Sequence, residues 1–184
     1  MKLAKKQNIG KIFESEIEKS CKDQHVFYFR VRDVNIPPDL RTRIRLPQNK
    51  YDSLMFYHNH LFTLEFKATE KAKSFPLKEH VIKQHQIDNL KAAKDYDGVI
   101  SGFIFNFRDT NNETYFVEID DFINYINIAQ NGLEHTYKSK VNEKSIPIGI
   151  IREIGIPVKS IKKQVRYRFY INILLDELIK KYYK

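Results

Sequence analysis

Three residues near the middle of the chain have the types and spacing that phosphodiester hydrolysis requires. Asp52 stands at the start of an alternating stretch, and Glu65 and Lys67 lie near its end, two positions apart. On a strand, side chains two positions apart share one face. Two carboxylates converging on one point are costly unless a cation lies between them, and oxygen ligands without cysteine indicate Mg²⁺ or Mn²⁺. The main-chain carbonyl of Phe66 is a natural third ligand.

A hairpin brings these residues together. Residues 53–67 are predicted to form two strands with a turn near His58, Asn59 and His60, and the open ends of a hairpin lie side by side. Asp52 is therefore expected close to Glu65 and Lys67. The Lys67 ammonium would hold an attacking water or stabilise transition-state charge. The simpler alternative is an exposed charge pair on a strand.

The surrounding pattern predicts an α/β fold around a mixed sheet. The expected elements are a helix (9–22), a strand (25–31), the hairpin arms (53–57 and 61–67), a helix (79–95), two strands (98–107 and 114–119) and a helix capped by Asp120 or Asp121 that runs through 130. A basic insertion (about 32–50) separates the first two strands, a lysine-rich loop follows the hairpin (68–78), and a basic, amphipathic helix or tail ends the chain (about 159–184).

Composition limits the class of protein. The 184 residues suit a single domain over 1–184, and 42% hydrophobic residues are enough for a core. The single cysteine excludes a disulfide framework within the chain. The six glycines do not form a phosphate-binding loop. We expect a soluble, cytoplasmic protein, because no stretch has the length and apolarity of a signal peptide or membrane span. We also expect no small-molecule cofactor.

The net charge of +9 points to an anionic partner, nucleic acid first and an anionic membrane surface second. Lysines and arginines suit phosphates and give affinity without reading base sequence. The candidate DNA-contacting residues cluster in three segments, and they are Arg30, Arg32, Arg41, Arg43, Arg45, Lys71, Lys73, Ser74, Lys163, Arg166 and Arg168.

The pattern of Asp52 followed by Glu65-Phe66-Lys67 on a hairpin resembles the PD-(D/E)xK nuclease superfamily. Further stretches, in consistent order over roughly residues 8–175, resemble RecU-type Holliday junction resolvases of Gram-positive bacteria and their phages. These stretches are Gly10-Lys11-Ile12-Phe13-Glu14, Tyr51-Asp52, Leu64 to Thr69, Ser74-Phe75-Pro76-Leu77 and His85-Gln86-Ile87, with weaker matches at Tyr115 to Glu118 and Ile146-Pro147-Ile148.

The resemblance implies a restriction-endonuclease-like fold and a metal-dependent endonuclease that resolves four-way DNA junctions as a homodimer. It implies that Asp52 and Glu65 hold the metal and that Lys67 positions the water. It also implies that Glu14 completes the site, often through water, and that Gln86 supports it.

One departure concerns the insertion. RecU-type enzymes carry a long stalk between the first two strands, whereas residues 32–50 form a shorter insertion that contains Pro37 and Pro38. Two alternatives therefore stay open: a nuclease for flaps, ends or specific sequences, and a DNA-binding module without catalysis.

Overall fold

A computed structural model describes residues 8–31, Pro37, Arg43 and 49–183. In chain order the elements are α1 (Ile9–Asp23), β1 (Phe27–Arg30), β2 (Ser53–Tyr57), β3 (His60–Thr69), β4 (Ser74–Pro76), α2 (Gln84–Lys94), β5 (Val99–Phe107), β6 (Glu113–Glu118), α3 (Ile119–Asn131), β7 (Ser145–Pro147), α4 (Ile148–Ile154), β8 (Ile156–Pro157), β9 (Ser160–Lys162), β10 (Tyr167–Phe169) and α5 (Ile171–Tyr182). Most of the predicted insertion, with Arg32, Arg41 and Arg45, lies outside the described residues.

Within this described part, a mixed six-stranded sheet has the order β1-β2-β3-β5-β6-β8. Strands β3 and β5 are parallel, whereas the other neighbouring pairs are antiparallel. The parallel pair needs a crossover, and α2 lies within it. The predicted mixed sheet with flanking helices is confirmed.

The predicted hairpin is present. Strands β2 and β3 pair antiparallel from Ser53 opposite Leu64 to Tyr57 opposite His60. The two turn residues, His58 and Asn59, have φ of 44° and 62°, the left-handed values that two-residue hairpin turns require.

Apolar side chains from the two faces of the sheet enter separate cores. Phe62, Leu64 and Phe66 of β3 belong to the core that includes α1 and α5, and the ring centroids of Phe13 and Phe66 are 5.7 Å apart. Phe103 and Phe105 of β5 belong to the opposite core, which includes α2 and α3. Because β5 is buried at all nine positions, it forms the centre of the fold.

Two predicted boundaries were wrong. Helix α2 begins at Gln84 rather than at residue 79, because residues 79–81 form a turn and the N–H groups of Val81 and Ile82 donate to the Lys78 carbonyl. The segment 68–78 is not a simple loop, since β3 continues to Thr69 and β4 pairs with β7.

The predictions for the later helices also need correction. Helix α3 is capped by Glu118, whose carboxylate accepts from the N–H groups of Asp120 and Asp121. The two aspartates instead occupy the first turn, where negative charge favours the helix dipole. The basic tail begins as a hairpin, β9–β10, and continues as α5. None of the described helices is long and apolar enough to cross a membrane.

Candidate active site

Asp52 lies where strand β2 begins, and its side chain continues the pairing with β3. Its Oδ2 atom accepts a hydrogen bond from the Phe66 N–H over 2.9 Å. Its main-chain carbonyl accepts from the Val31 N–H over 3.0 Å, beside β1. The N–H and C=O groups of one strand residue point to the same edge, so the Phe66 carbonyl also lies on the Asp52 side of β3.

Glu65 is a buried carboxylate, 1% exposed. Burial first, and the neighbouring Asp52 carboxylate second, raise the pKa of Glu65 to about 8, and Lys67 offsets part of this rise. The Nζ atom of Lys67 lies 3.7 Å from Oε2 of Glu65. An exposed charge pair on a strand is therefore excluded.

Gln86 connects the two charged side chains. Its Nε2 atom donates to Oε2 of Glu65, and its Oε1 atom accepts from Nζ of Lys67 over 2.9 Å. The Lys83 N–H also donates to Oε1, over 3.3 Å, which fixes the amide at the start of α2. The structure thus brings together Asp52, Glu65, Lys67 and Gln86, the last from the crossover helix.

Tyr51, directly before Asp52, has a structural role that the sequence pattern does not indicate. Its hydroxyl donates to the carbonyl of Asn89 over 3.4 Å, and it contacts the core beneath α2. This contact joins the start of the hairpin to the helix that carries Gln86. The aromatic residue directly before Asp52 is the sequence feature that could have indicated this contact. Its partner, the Asn89 carbonyl, could not be predicted, because it depends on how α2 packs against the sheet.

Glu14 lies on α1, which packs on the sheet face opposite Glu65. Its carboxylate forms an ion pair with Arg30, the last residue of β1. Arg30 is paired in register with Ser53, next to Asp52. Arg30 therefore connects Glu14 to the open end of the β2–β3 hairpin, where Asp52 lies.

The described residues contain no group of three or more histidine, cysteine, aspartate or glutamate side chains placed to hold a metal ion. Two facing carboxylates still fit Mg²⁺ or Mn²⁺, because Mg²⁺ usually binds through one or two carboxylates and keeps waters and phosphate oxygens as its other ligands. The close approach of Asp52 to the buried Glu65 is an arrangement that a cation relieves.

The predicted DNA-contacting residues occupy different surfaces. Lys71 and Lys73 are exposed between β3 and β4, where the partly exposed Ser74 begins β4, and Arg43 is exposed. Lys163 and Arg166 are exposed at the tip of the β9–β10 hairpin, on the α1 side of the sheet. Arg168 is partly exposed and forms an ion pair with Asp23 at 2.9 Å.

Residues 47–172 match the RecU family, described as Recombination protein U. The chain belongs to this family. The SPbeta prophage-derived uncharacterized protein YotM of Bacillus subtilis (strain 168) is 49% identical over 174 residues, covering 95% of this chain and 88% of YotM. The solved structure of Archaeoglobus fulgidus Hjc, a Holliday junction resolvase, is similar with a TM-score of 0.48 at 11% identity, over 80% of this chain and 95% of Hjc.

The RecU match contains all four residues that converge at the hairpin end, Asp52, Glu65, Lys67 and Gln86. It begins after Glu14 and Arg30, so the helix-borne acid lies outside the matched span. The matched span therefore contains the hairpin, the crossover helix and the elements that follow, up to the start of α5.

Proposed function

We propose that this RecU-family protein is a metal-dependent endonuclease that hydrolyses phosphodiester bonds in four-way DNA junctions during recombination and repair. The observation that carries the proposal is the convergence of Asp52, Glu65 and Lys67, with Gln86 bridging the last two. Two carboxylates and one ammonium held at a single point suit phosphate chemistry. Family membership supports DNA as the substrate.

The metal ligands in this proposal are the carboxylates of Asp52 and Glu65 and the carbonyl of Phe66. Bound Mg²⁺ or Mn²⁺ supplies Lewis-acid polarisation of the scissile phosphate. Asp52 also fixes the position of the Phe66 peptide, because its carboxylate accepts a hydrogen bond from the Phe66 N–H.

Lys67 orients the attacking water in this mechanism. Gln86 holds its Nζ atom at 2.9 Å, which limits the rotation of a long side chain. The water attacks the phosphorus in line, the bond from phosphorus to the 3′ oxygen breaks, and the product keeps a 5′-phosphate. The water-mediated role implied for Glu14 stays a prediction, because its carboxylate pairs with Arg30.

Resolution of a junction needs two cuts on opposing strands, and the hairpin provides one convergent site. We therefore propose that two copies of the chain act together as a homodimer in the bacterial cytoplasm. Lys71, Lys73 and Ser74, which follow β3, are proposed to contact the DNA backbone near the cut.

The test is cleavage of a synthetic four-way junction and of a linear duplex with the same sequence, with Mg²⁺ or with EDTA. Paired symmetric nicks on the junction alone, dependent on Mg²⁺, are expected. Equal cutting of both DNAs would support nuclease activity but contradict selectivity for four-way junctions. Tight binding that is indifferent to Mg²⁺, without any cutting, would contradict the catalytic assignment.

A further inference from the structure

A groove of about 790 Å³ lies between α1 and the tip of the β9–β10 hairpin. We call it the α1 groove. Its helix wall is formed by Asn8, Lys11, Ser15 and Lys19, and its hairpin wall by residues 163–166. It is separate from the converging side chains at the hairpin end, because α1 covers the sheet face opposite Glu65.

Cations line both walls of the α1 groove. Lys11, Ser15 and Lys19 are four positions apart along α1, so they lie on one side of the helix, and all three are exposed. Across the groove, Lys163 and Arg166 are exposed at the hairpin tip, which the Lys163 N–H closes by donating to the Arg166 carbonyl over 2.8 Å.

The acid in the groove lining is neutralised from inside the protein. Glu16 is 3% exposed, and its Oε2 atom is 2.5 Å from the guanidinium of Arg108. Its other oxygen accepts from the Tyr167 N–H over 3.1 Å. Glu16 therefore does not compete with an incoming anion for the lysines at the surface.

Hydrogen bonds hold the two walls at a fixed separation. The Phe169 N–H donates to Oγ of Ser20 over 3.0 Å, and Nε2 of Gln24 donates to the Phe169 carbonyl over 2.7 Å. Phe13 and Phe169 pack edge to face, with ring centroids 5.5 Å apart. The two elements that carry the cations are therefore joined before a ligand binds, which reduces the entropic cost of binding.

A short chain of contacts links the helix wall of the α1 groove to the candidate active site. Ser15 follows Glu14, whose partner Arg30 is paired in register with Ser53, next to Asp52.

We propose that the α1 groove binds the phosphate backbone of a duplex arm of the substrate, beyond the bond that is cut. Lysine and arginine recognise phosphates as charges, and the hydroxyl of Ser15 adds a neutral donor, so the contact reads no base sequence. The proposal rests on the proposed function only in taking DNA as the substrate.

The experiment compares three variants of the full chain. The groove variant carries Lys11→Ala, Lys19→Ala and Arg166→Ala. The charge-preserving variant carries Lys11→Arg, Lys19→Arg and Arg166→Lys. The matched control removes three exposed lysines elsewhere, with Lys138→Ala, Lys140→Ala and Lys180→Ala. Fluorescence anisotropy with a labelled four-way junction in EDTA gives affinity at several salt concentrations, and Mg²⁺-dependent cleavage at saturating DNA gives kcat.

The groove variant is expected to lose about 10-fold in junction affinity, and its slope of log K against log salt should fall by about 2 to 3. Its kcat should stay within about twofold of wild type, since the groove lies outside the proposed catalytic residues. The control and the charge-preserving variant should bind like wild type, and equal melting temperatures confirm folding.

Equal affinity of the groove variant and the control would overturn the proposal. So would a groove variant that keeps its DNA affinity but loses binding to phosphatidylserine vesicles, because the groove would then be a membrane contact. Failure of the proposed function is separate: a wild type that binds but never cuts refutes catalysis and leaves the EDTA binding comparison intact.

Discussion

The side-chain amide of Gln86 donates a hydrogen bond to the buried carboxyl group of Glu65. Gln86 lies on α2, the helix that connects the parallel strands β3 and β5. The other end of the same amide accepts from Lys67. A single neutral side chain thus orients both a carboxyl group and an ammonium group, and it cannot rotate without losing one of the two bonds.

Replacing Gln86 with Met should separate positioning from folding. The change keeps the volume but removes both hydrogen bonds, so we expect kcat to fall about 10- to 100-fold and the Mg²⁺ concentration for half-maximal rate to rise. Gln84→Met, at the exposed first position of the same helix, is the control. Cleavage measured across a Mg²⁺ titration checks this, and an unchanged Mg²⁺ requirement in Gln86→Met would contradict it.

Asp52→Asn should abolish most cleavage while it preserves the local fold. Asparagine still accepts from the Phe66 N–H, so only the charge is lost, and cleavage is expected to fall about 100- to 1,000-fold. Junction affinity in EDTA should stay within about twofold of wild type. Asp97→Asn, at an exposed aspartate before β5, should cut at the wild-type rate. Wild-type cutting by Asp52→Asn would remove Asp52 from the site.

Metal binding should be visible without DNA. With a dissociation constant of about 1 mM, Mg²⁺ at about 10 mM stabilises the folded state by about 1.4 kcal/mol. The melting temperature should therefore rise by about 3 °C, as scanning calorimetry would show. Glu65→Gln should abolish the rise, whereas Asp97→Asn should retain it. An equal rise in both variants would indicate that Mg²⁺ binds elsewhere.

Removing one partner of the buried Glu16–Arg108 pair should destabilise the protein more than replacing both partners. Arg108→Met leaves a carboxylate that is 3% exposed without its guanidinium, so we expect a loss of about 3 to 5 kcal/mol in the free energy of unfolding. The double variant Glu16→Gln with Arg108→Met should recover at least half of that loss. Urea unfolding of the two single variants and the double variant measures the coupling. Additive losses would show that the pair does not act as a unit.

The ion pair between Glu113 and Arg152 predicts a pH-dependent contribution to stability. The hydrogen bond from Arg152 lowers the pKa of Glu113 below its ordinary 4.5. A carboxyl with a lowered pKa stabilises the fold above its unfolded-state pKa, and this contribution disappears as the pH falls through the folded-state pKa. Because Arg152 is 46% exposed, Glu113→Gln should cost only about 1 kcal/mol at pH 7.

That cost of Glu113→Gln should shrink as the pH falls below 4.5, the ordinary pKa of the carboxyl. Urea unfolding at pH 7 and at a pH well below 4.5 measures it. An equal cost at both pH values would indicate that Glu113 stabilises the fold through packing rather than charge.

The sequence was sufficient for the hairpin and for part of the site. The alternation in 61–67 places Glu65 and Lys67 on one face, and the short connection at His58 and Asn59 returns the chain so that Asp52 meets β3. These are local relationships, decided by a period of two residues and a tight turn.

Other features depend on packing that no local pattern contains. Whether Gln86 meets Lys67 depends on how α2 crosses the sheet, and the start of α2 at Gln84 replaces a predicted start five residues earlier. The pairing of Glu14 with Arg30 joins a helix to a strand. The short strands β4, β7, β9 and β10 have three residues each, too few for periodicity to reveal them.

The location of Gln86 on the crossover also bears on the order in which the chain folds. The hairpin brings Asp52, Glu65 and Lys67 together through contacts close in sequence, which form early, whereas pairing β3 with β5 requires closure of a longer loop. We therefore expect the folding chain to bring Asp52, Glu65 and Lys67 together before the Gln86 amide docks against them. Undocking of α2 alone would remove the Gln86 amide from Glu65 and Lys67 while the hairpin stayed intact. We therefore expect local unfolding of α2 to impair the proposed cleavage at temperatures below global denaturation.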